Sequence, residues 1–354
     1  MRRTIIGLSV LALTGALVSP AAAGARAEPS TGGCDVGTRA PLAGVTSLPD
    51  GGRIYQYRVG GEISSVPVPP AGFDPLTASA RRLDTYGLPE RPAGGTARTR
   101  WTAQMRVFHR PADPGLCVTP YRSRPTGAAN GTATTVQAGN WAGYTARKQS
   151  SSSYYIGATG DFRQTGVHAS CSGATWVGWV GIGGYYASSP ALIQAGTGRL
   201  SGANHAWYEY LGRGGRGINI TYMPSVHVGS GHHIHATVIY QRSTGRTTFY
   251  VYDTTNGTYQ TVIKTLSAKY YYDGRSAEQI DERITRNGGL TPLYHFVSDS
   301  WTNAKAMRSS TGNWYSLGSQ PHTRIVMVNG SHTLATPGGL TSSTAFKDSF
   351  KRCT

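Results

Sequence analysis

Residues 276–284 read SAEQIDERI, and the fold of this chain depends on whether they form a helix or a strand. Ser276 followed by Gln279 fits a capping box, and Ile280 and Ile284 lie one helical turn apart. The local pattern alone therefore favours a short surface helix. As a strand, the stretch would instead place alternate residues on one face, namely Glu278, Ile280, Glu282 and Ile284.

Glu282 is the residue that makes the strand interpretation important. On that face it would lie among isoleucines, while Gln279, Asp281 and Arg283 would point the other way. Removal from water disfavours the ionised form of a carboxyl group, which raises its pKa. A carboxyl group in such surroundings is suited to general acid and base catalysis near its operating pH.

The N-terminus has the pattern of a secretory signal peptide. It begins with MRR, continues with an apolar run to about Val18, and reaches small residues at Ala23 and Ala27. The apolar run is too short to span a bilayer comfortably, and no second run follows it. We therefore expect residues 1–27 to be removed and the protein to be secreted, extracellular and without stable membrane insertion.

The four cysteines are expected to form disulfides, because an exported protein meets an oxidising environment. Four cysteines allow three pairings. We favour Cys34–Cys117 together with Cys171–Cys353, since each bridge then stays within one segment of the chain.

The chain is strongly basic, with a formal net charge of +17 over 354 residues. Its Lys and Arg residues are scattered singly among Gly, Ser, Thr and Tyr. Nucleic-acid binders usually concentrate basic residues in one patch interleaved with aromatics. We therefore expect no nucleic-acid partner and interpret the charge as favouring either solubility at acidic pH or non-specific adhesion.

Composition divides the rest of the chain into two parts. Residues 28–135 are rich in Pro, Gly and Arg, show weak hydrophobic periodicity, and end in a linker of Gly, Ala, Asn and Thr. We interpret 28–137 as a loosely structured pro-region with its linker, and 138–354 as the main domain.

From residue 140 onward, short runs of Tyr, Val, Ile, Thr and Trp are separated by Gly and Ser. This texture predicts an all-β fold, an antiparallel double-sheet β-sandwich. Strands are predicted at 140–147, 153–162, 175–181, 192–195, 204–210, 218–222, 233–241, 246–253, 259–266, 278–284, 301–307 and 324–329.

The main domain contains three glutamates, Glu209, Glu278 and Glu282. In the run NHAWYEY, strand alternation places His205, Trp207 and Glu209 on one face. Glu209 is then either a salt-bridged core residue or a functional carboxyl group. Two glutamates on neighbouring strands also leave open a glycosidase with paired carboxylates.

Gln194 carries two N–H donors and no charge, which suits it to stabilise an oxyanion in a transition state. A bound metal is not favoured, because His233 and His235 would share a strand face but no third ligand is evident. A serine nucleophile would lack its G-x-S-x-G turn, and the cysteines are assigned to disulfides. The sequence therefore supports neither covalent mechanism.

Six short motifs occur in order: NWAGY at 140–144, WVGIGG at 179–184, QAG at 194–196, AWYE at 206–209, AEQIDER at 277–283 and WTNA at 301–304. This series resembles the glutamic peptidase (eqolisin) family of scytalidoglutamic and aspergilloglutamic peptidases, particularly its bacterial relatives. The resemblance covers roughly residues 138–345. The run GFDPL at 72–76 is also similar to the N-terminal pro-region of those relatives.

The resemblance implies a sandwich with a catalytic dyad of Gln194 and Glu282, and it makes residues 276–284 a strand. In the implied mechanism Glu282 is the general base that activates water, and Gln194 stabilises the oxyanion. No metal or cofactor is implied. Gly183 stands where the family usually has Asp, and Gln279 stands where it usually has an aromatic residue.

The implied function is a secreted acid endopeptidase, made as a zymogen and acting as a monomer on polypeptide substrates. Its substrate cleft would be lined by Trp141, Trp179, Trp207 and Glu209, the last in a supporting role. The alternative is a non-catalytic carbohydrate- or surface-binding β-sandwich. The peptidase predicts that Gln194 and Glu282 meet in an open groove, whereas the binding module predicts an exposed aromatic platform.

Overall fold

The computed structural model describes residues 34–112, 114–124, 134–148, 153–188, 191–212, 216–267 and 272–354. These residues belong to one compact unit. No helix among them is long and apolar enough to cross a membrane.

The N-terminal segment, residues 34–124, is built from short strands and two helices in the part that the structure describes. These elements are β1 (Thr38–Arg39), β2 (Leu42–Ser47), β3 (Arg53–Val59), β4 (Glu62–Val68), α1 (Ala80–Thr85), α2 (Gly95–Arg106) and β5 (Cys117–Val118).

The rest of the described chain is almost entirely strand. Its strands are β6 (Thr135–Ala138), β7 (Trp141–Arg147), β8 (Tyr155–Arg163), β9 (Trp176–Gly183), β10 (Leu192–Leu200), β11 (Ala203–Leu211), β12 (Thr221–Tyr222), β13 (His233–Gln241), β14 (Arg246–Asp253), β15 (Thr258–Thr265), β16 (Ser276–Glu282), β17 (Thr285–Arg286), β18 (Gly289–Leu290), β19 (Asp299–Arg308), β20 (Trp314–Ser316), β21 (His322–Asn329), β22 (His332–Pro337) and β23 (Phe346–Phe350). A 3-10 turn spans Leu317–Ser319.

The first sheet has the order β1, β5, β12, β11, β10, β9, β16, β7, β21, β22, β23 and the start of β19, all antiparallel. β6 joins β21 in parallel. β16 lies between β7 and β9 and is paired along both edges. This pairing, with every residue of Ser276–Glu282 buried, overrides the local helical pattern. The strand expected from the family resemblance is confirmed.

The second sheet has the order β2, β3, β4, β15, β14, β13, β8, the rest of β19, and β20. β19 belongs to both sheets, because Asp299–Trp301 pair with β23 and the residues from Thr302 onward pair with β8. Asn303, at φ 54°, lies where the register of this strand shifts. β17 and β18 form a separate two-stranded ribbon.

The main core fills the space between the two sheets. Strand alternation sends one set of side chains into it, including Trp176, Val180, Ile193 and Tyr208 from the first sheet and Phe162, Ile234, Val238 and Phe249 from the second. The predicted antiparallel double-sheet β-sandwich is confirmed. Each of the twelve predicted strands overlaps an observed one.

The N-terminal segment carries more regular structure than its composition predicts. β4 pairs with β15 at the edge of the second sheet, and β5 pairs with β12 at the edge of the first. The short alternating runs RIYQYRV and EISSVPV form a hairpin, and their Arg, Ser and Pro residues hide the strand pattern from composition alone. The segment therefore extends both sheets.

The two outer faces of the sandwich are also covered by the N-terminal segment. Helices α1 and α2 pack Leu83, Trp101 and Met105 against Tyr250 and Tyr252 on the outer face of the second sheet. Residues 117–124 cross the outer face of the first sheet. The disulfides Cys34–Cys117 and Cys171–Cys353 are both present, as predicted.

Candidate active site

The outer face of the first sheet gathers the residues that sequence analysis selected. We call it the site face, and its members are Trp141, Trp179, Gln194, Trp207, Glu209 and Glu282. They come from five neighbouring strands in the order β7, β16, β9, β10 and β11. All six are fully buried. The site face is therefore closed in the full chain, not an open groove.

Glu282 is held by neutral donors on both carboxylate oxygens. Trp179 donates from Nε1 to Oε2 at 2.7 Å, and Asn140 donates from Nδ2 to Oε1 at 2.9 Å. Burial raises the pKa of Glu282 to about 7, although these donors act in the opposite direction. The side chain thus has a fixed orientation and a proton affinity suited to acid and base chemistry.

Gln194 lies directly across from Glu209 on the paired strands β10 and β11. It donates from Nε2 to Oε2 of Glu209 at 2.7 Å, while its Oε1 has no partner among the described residues. Burial, and next the charge of nearby Glu282, raise the pKa of Glu209 to about 8. At lower pH Glu209 is therefore a neutral group that fixes the Gln194 amide.

Three tryptophans enclose these polar groups. The rings of Trp141 and Trp179 pack edge to face at 4.9 Å between centroids. The indole N–H groups of Trp141 and Trp207 have no hydrogen-bond partner among the described residues. Because these rings are buried, they form no exposed aromatic platform of the kind that the binding-module interpretation requires.

Residues 121–124 of the N-terminal segment lie directly over the two carboxyl groups. The backbone N–H of Ser123 donates to both oxygens of Glu209, at 3.3 and 3.2 Å. The N–H of Arg124 donates to Oε1 of Glu282 at 3.3 Å. Asn140, already bonded to Glu282, also donates to the carbonyl oxygen of Arg124 at 2.8 Å. Sequence analysis did not identify Ser123 or Arg124, since neither carries a motif.

The covering stretch is fixed like an added strand. Arg122 and Thr285 exchange backbone hydrogen bonds at 3.3 and 2.9 Å, and Ile220 donates its N–H to the carbonyl oxygen of Tyr121 at 3.0 Å. Tyr121 is buried in the same apolar cluster as Trp207. An extended peptide is thus already bound across the site face.

Gln194 and Glu282 are not joined by a direct hydrogen bond among the described contacts. They occupy separate strands, β10 and β16, with β9 between them. Consecutive amide groups, of Ser123 and Arg124, connect the Gln194–Glu209 pair to Glu282. The site thus consists of two carboxyl groups and one amide, arranged around a bound segment of backbone.

Both departures from the family's usual motifs have a structural basis. Gly183 has φ 93°, and a Cβ atom there would lie 2.1 Å from the carbonyl oxygen of Ala191, so only Gly fits this backbone. Gln279 points into the core and donates to the carbonyl oxygens of Thr159 and Lys305, both at 3.2 Å. It links β16 to the second sheet, on the side opposite the site face.

His235, considered together with His233 as a metal ligand, and the neighbouring His232 both lie against aspartates. His235 Nδ1 lies 2.5 Å from Asp161 Oδ1, and His232 Nδ1 lies 2.6 Å from Asp253 Oδ2. Within the described ranges, no group of three or more His, Cys, Asp or Glu residues is placed to hold a metal ion.

The fold and the site together define a β-sandwich with two buried glutamates and a glutamine on one outer face. The model of the peptidase A4 family matches residues 139–352, more than half of the chain. The chain belongs to this family of glutamic peptidases, as the motif series predicted, and is therefore a glutamic endopeptidase. A comparison with curated proteins gives no match.

Three solved structures are among those to which the chain is similar. Scytalido-glutamic peptidase with a peptide-based transition-state analogue shares 18% identity over 60% of this chain and 98% of that chain, with a TM-score of 0.48. The eqolisin SCP-B in complex with the tripeptide Ala-Ile-His shares 17% over 60% and 98%, with a TM-score of 0.46. Aspergilloglutamic peptidase from Aspergillus niger shares 20% over 50% and 99%, with a TM-score of 0.43.

Proposed function

We propose that the chain is a secreted acid endopeptidase that cleaves polypeptides with Glu282 and Gln194. The observation that carries the proposal is the position of Glu282, fixed by Trp179 and Asn140 directly beneath a peptide N–H group, that of Arg124. An extended backbone is therefore already placed against the proposed general base, as a substrate would be.

In the proposed reaction, ionised Glu282 takes a proton from water as the water oxygen bonds to the carbonyl carbon of the scissile peptide. Gln194 donates an amide N–H to the oxyanion of the resulting tetrahedral intermediate. The C–N bond then breaks, and Glu282 returns the proton to the departing amine nitrogen. Protons balance between the two steps, so that the enzyme ends in its starting state.

Glu209 has a positioning role in this scheme. The 2.7 Å hydrogen bond to its Oε2 uses one N–H of Gln194 and leaves the other for the oxyanion. The raised pKa keeps Glu209 neutral in acid, and a neutral carboxyl group still accepts this hydrogen bond. Trp141 and Trp207 would form apolar walls of the substrate cleft, together with Trp179.

The N-terminal segment acts in this proposal as the pro-region of a zymogen, with residues 1–27 as signal peptide and the main domain from 138. It blocks the site face physically, since Ser123 and Arg124 fill the space above both carboxyl groups. It also removes water from Glu282, and the raised pKa leaves this carboxyl protonated in acid. A protonated Glu282 cannot act as a base.

Departure of the segment would reverse both effects. Water would reach Glu282, and loss of the burial that raises its pKa would favour the ionised form at acidic pH. Ion pairs between the segment and the sandwich weaken in acid, because carboxylates take up protons. These pairs are Glu62–Lys264 at 3.0 Å, Asp84–Arg246 at 3.4 Å and Asp161–Arg100 at 3.7 Å.

The test is hydrolysis of a denatured protein substrate at acidic pH by the wild type and by Glu282→Gln. The substitution keeps the size of the side chain and removes the base, so cleavage should fall about 10²–10⁴-fold. Glu278→Gln is the matched control, because it makes the same change at a buried position of the same strand. Equal cleavage by wild type and Glu282→Gln would disprove the proposal.

A further inference from the structure

A cavity of about 860 Å³ lies on the other side of the molecule, between helices α1 and α2 and the outer face of the second sheet. The whole sandwich separates it from Glu282. Its walls are largely apolar and aromatic, and include Leu88, Trp101, Ile239, Met307 and Trp314. Volume and lining are typical of pockets that bind small molecules.

A cross-strand row forms the floor of this cavity. Tyr250 on β14 is paired with Thr237 on β13, Thr237 with Thr159 on β8, and Thr159 with Lys305 on β19. All four side chains line the cavity. Three inter-strand spacings of about 4.8 Å place the Cα atoms of Tyr250 and Lys305 about 14 Å apart.

The polar side chains in the middle of the floor already have hydrogen-bond partners within the protein. Thr237 Oγ1 lies 3.1 Å from His235 Nε2 and 2.8 Å from Thr159 Oγ1. His235 Nδ1 is bonded to Asp161, and Thr159 also donates to the carbonyl oxygen of Ala236 at 3.0 Å. These groups therefore do not require a ligand.

Tyr250 and Lys305, at the two ends of the row, lack such partners within the described residues. The Tyr250 hydroxyl is buried, with the residue only 2% exposed, and has no hydrogen-bond partner among the described residues. Among the residues that the structure describes, no carboxylate lies within ion-pair distance of Lys305. Burial, and then the charge of Arg100, lower the pKa of Lys305. The buried Tyr250 hydroxyl without an acceptor is costly, and a ligand that supplied an acceptor would remove that cost.

The charge around the cavity favours an anion. Its lining includes five basic residues, Arg81, Arg91, Arg100, Arg246 and Lys305, but only two acidic ones, Asp84 and Glu90. At the Lys305 end, Arg100 has a long 3.7 Å contact with Asp161, the carboxylate whose charge also acts on Lys305 without an ion-pair contact. A ligand with a negative charge would balance the second of these two cations.

We propose that the cavity binds an elongated amphipathic anion, with a carboxylate at Lys305 and a hydrogen-bond acceptor at Tyr250. The apolar walls would enclose its hydrocarbon body. Since α1 and α2 form one wall, the site exists only while the N-terminal segment is in place. The ligand would thus hold this segment on the sandwich, independently of peptidase chemistry.

The proposal is tested by calorimetric titration of the full-length Glu282→Gln chain, which cannot process itself if Glu282 is the base. The probes are dodecanedioate, with a carboxylate at each end, and dodecanoate, with one. Dodecanedioate should bind saturably and at least roughly tenfold more tightly than dodecanoate, because only it supplies an acceptor for Tyr250. Absence of saturable binding by dodecanedioate would overturn the proposal.

Substitutions at Lys305 and Tyr250 then test which residue binds each end of the ligand. Lys305→Met should weaken both probes by roughly tenfold or more, Lys305→Arg should restore binding, and Lys347→Met, at an exposed lysine, should change nothing. Tyr250→Phe should abolish the preference for dodecanedioate and leave dodecanoate unaffected. Unchanged affinity in Lys305→Met, or an unchanged preference in Tyr250→Phe, would overturn the assignment, provided that melting curves show both variants folded.

Discussion

The backbone N–H of Arg124 donates a hydrogen bond to Oε1 of Glu282, 158 positions later in the chain, at 3.3 Å. The same carboxylate is fixed from below by Trp179 and Asn140. The proposed general base therefore has its free side occupied by a peptide group of its own chain. The proposed inhibition by the N-terminal segment would therefore depend on the backbone here, and side chains could be varied without removing it.

This dependence can be tested at Arg124. Arg124→Pro removes the N–H group, whereas Arg124→Ala keeps it, so the pair separates the backbone contact from the side chain. We expect the Pro variant to shorten faster in acid, by roughly two- to tenfold, for the loss of a hydrogen bond to a protonated carboxyl group. Gel electrophoresis during acidification measures this. Equal rates for the two variants would show that the Arg124 N–H does not hold the segment in place.

Gln194 and Glu209 should differ in their effect on catalysis. Gln194→Ala removes the proposed oxyanion donor and should reduce kcat/KM about 10²–10³-fold. Glu209→Gln leaves an acceptor for the Gln194 amide and should reduce it less. Steady-state kinetics on a peptide substrate give both values. If Glu209→Gln abolishes activity while Glu282→Gln retains it, the dyad assignment is wrong and paired-carboxylate chemistry becomes the better explanation.

The stability of the fold should decrease from acidic to neutral pH. Asp299 and Asp348 are paired across β19 and β23, and Asp281 interacts with both. Burial raises the pKa of Asp281 to about 6, and raises those of Asp299 and Asp348 well above the ordinary value.

The folded state therefore binds these protons more tightly than the unfolded state. The stabilisation is complete below the unfolded pKa of about 3.9 and is lost as pH rises through the folded values. Thermal melts across this range should show Tm highest in acid, and Asp348→Asn should flatten the profile. Asp84→Asn, at a largely exposed position, is the control. A profile that rises towards neutral pH would contradict this prediction.

The Cys171–Cys353 disulfide should stabilise the sandwich. It closes a loop of 182 residues and attaches the chain end that follows β23 to the region before β9. Replacing both cysteines with Ser should cost about 2–5 kcal/mol. Chemical unfolding of the two oxidised proteins measures this difference. Reaction of Cys171 or Cys353 with a maleimide in the folded wild type would show instead that the bridge is not formed.

Much of the sandwich was predictable, because its signals are local. Strand alternation correctly placed Glu282 and Ile280 on one face and Asp281 on the other, where its oxygens accept from Trp176 and Trp301. The Gln194–Glu209 contact joins adjacent strands only 15 positions apart. The helical pattern of 276–284 was misleading, because pairing along both edges of β16 outweighs capping.

The contacts of the N-terminal segment could not be predicted in this way. Ser123 and Arg124 act through backbone N–H groups, which every residue except proline possesses. Their partners lie 86 and 158 positions away in the chain. Composition also gave no sign that β4 and β5 would join the sheet edges. A family motif records side chains that do chemistry, and it does not record which backbone covers them.

The edge strands have a consequence for how the protein is made. β4 covers the edge at β15, and β5 covers the edge at β12. A sandwich that folded without the N-terminal segment would present both edges as unpaired rows of N–H and C=O groups, which recruit strands from other chains. A newly made chain would thus be protected from aggregation by the same segment that covers its site face.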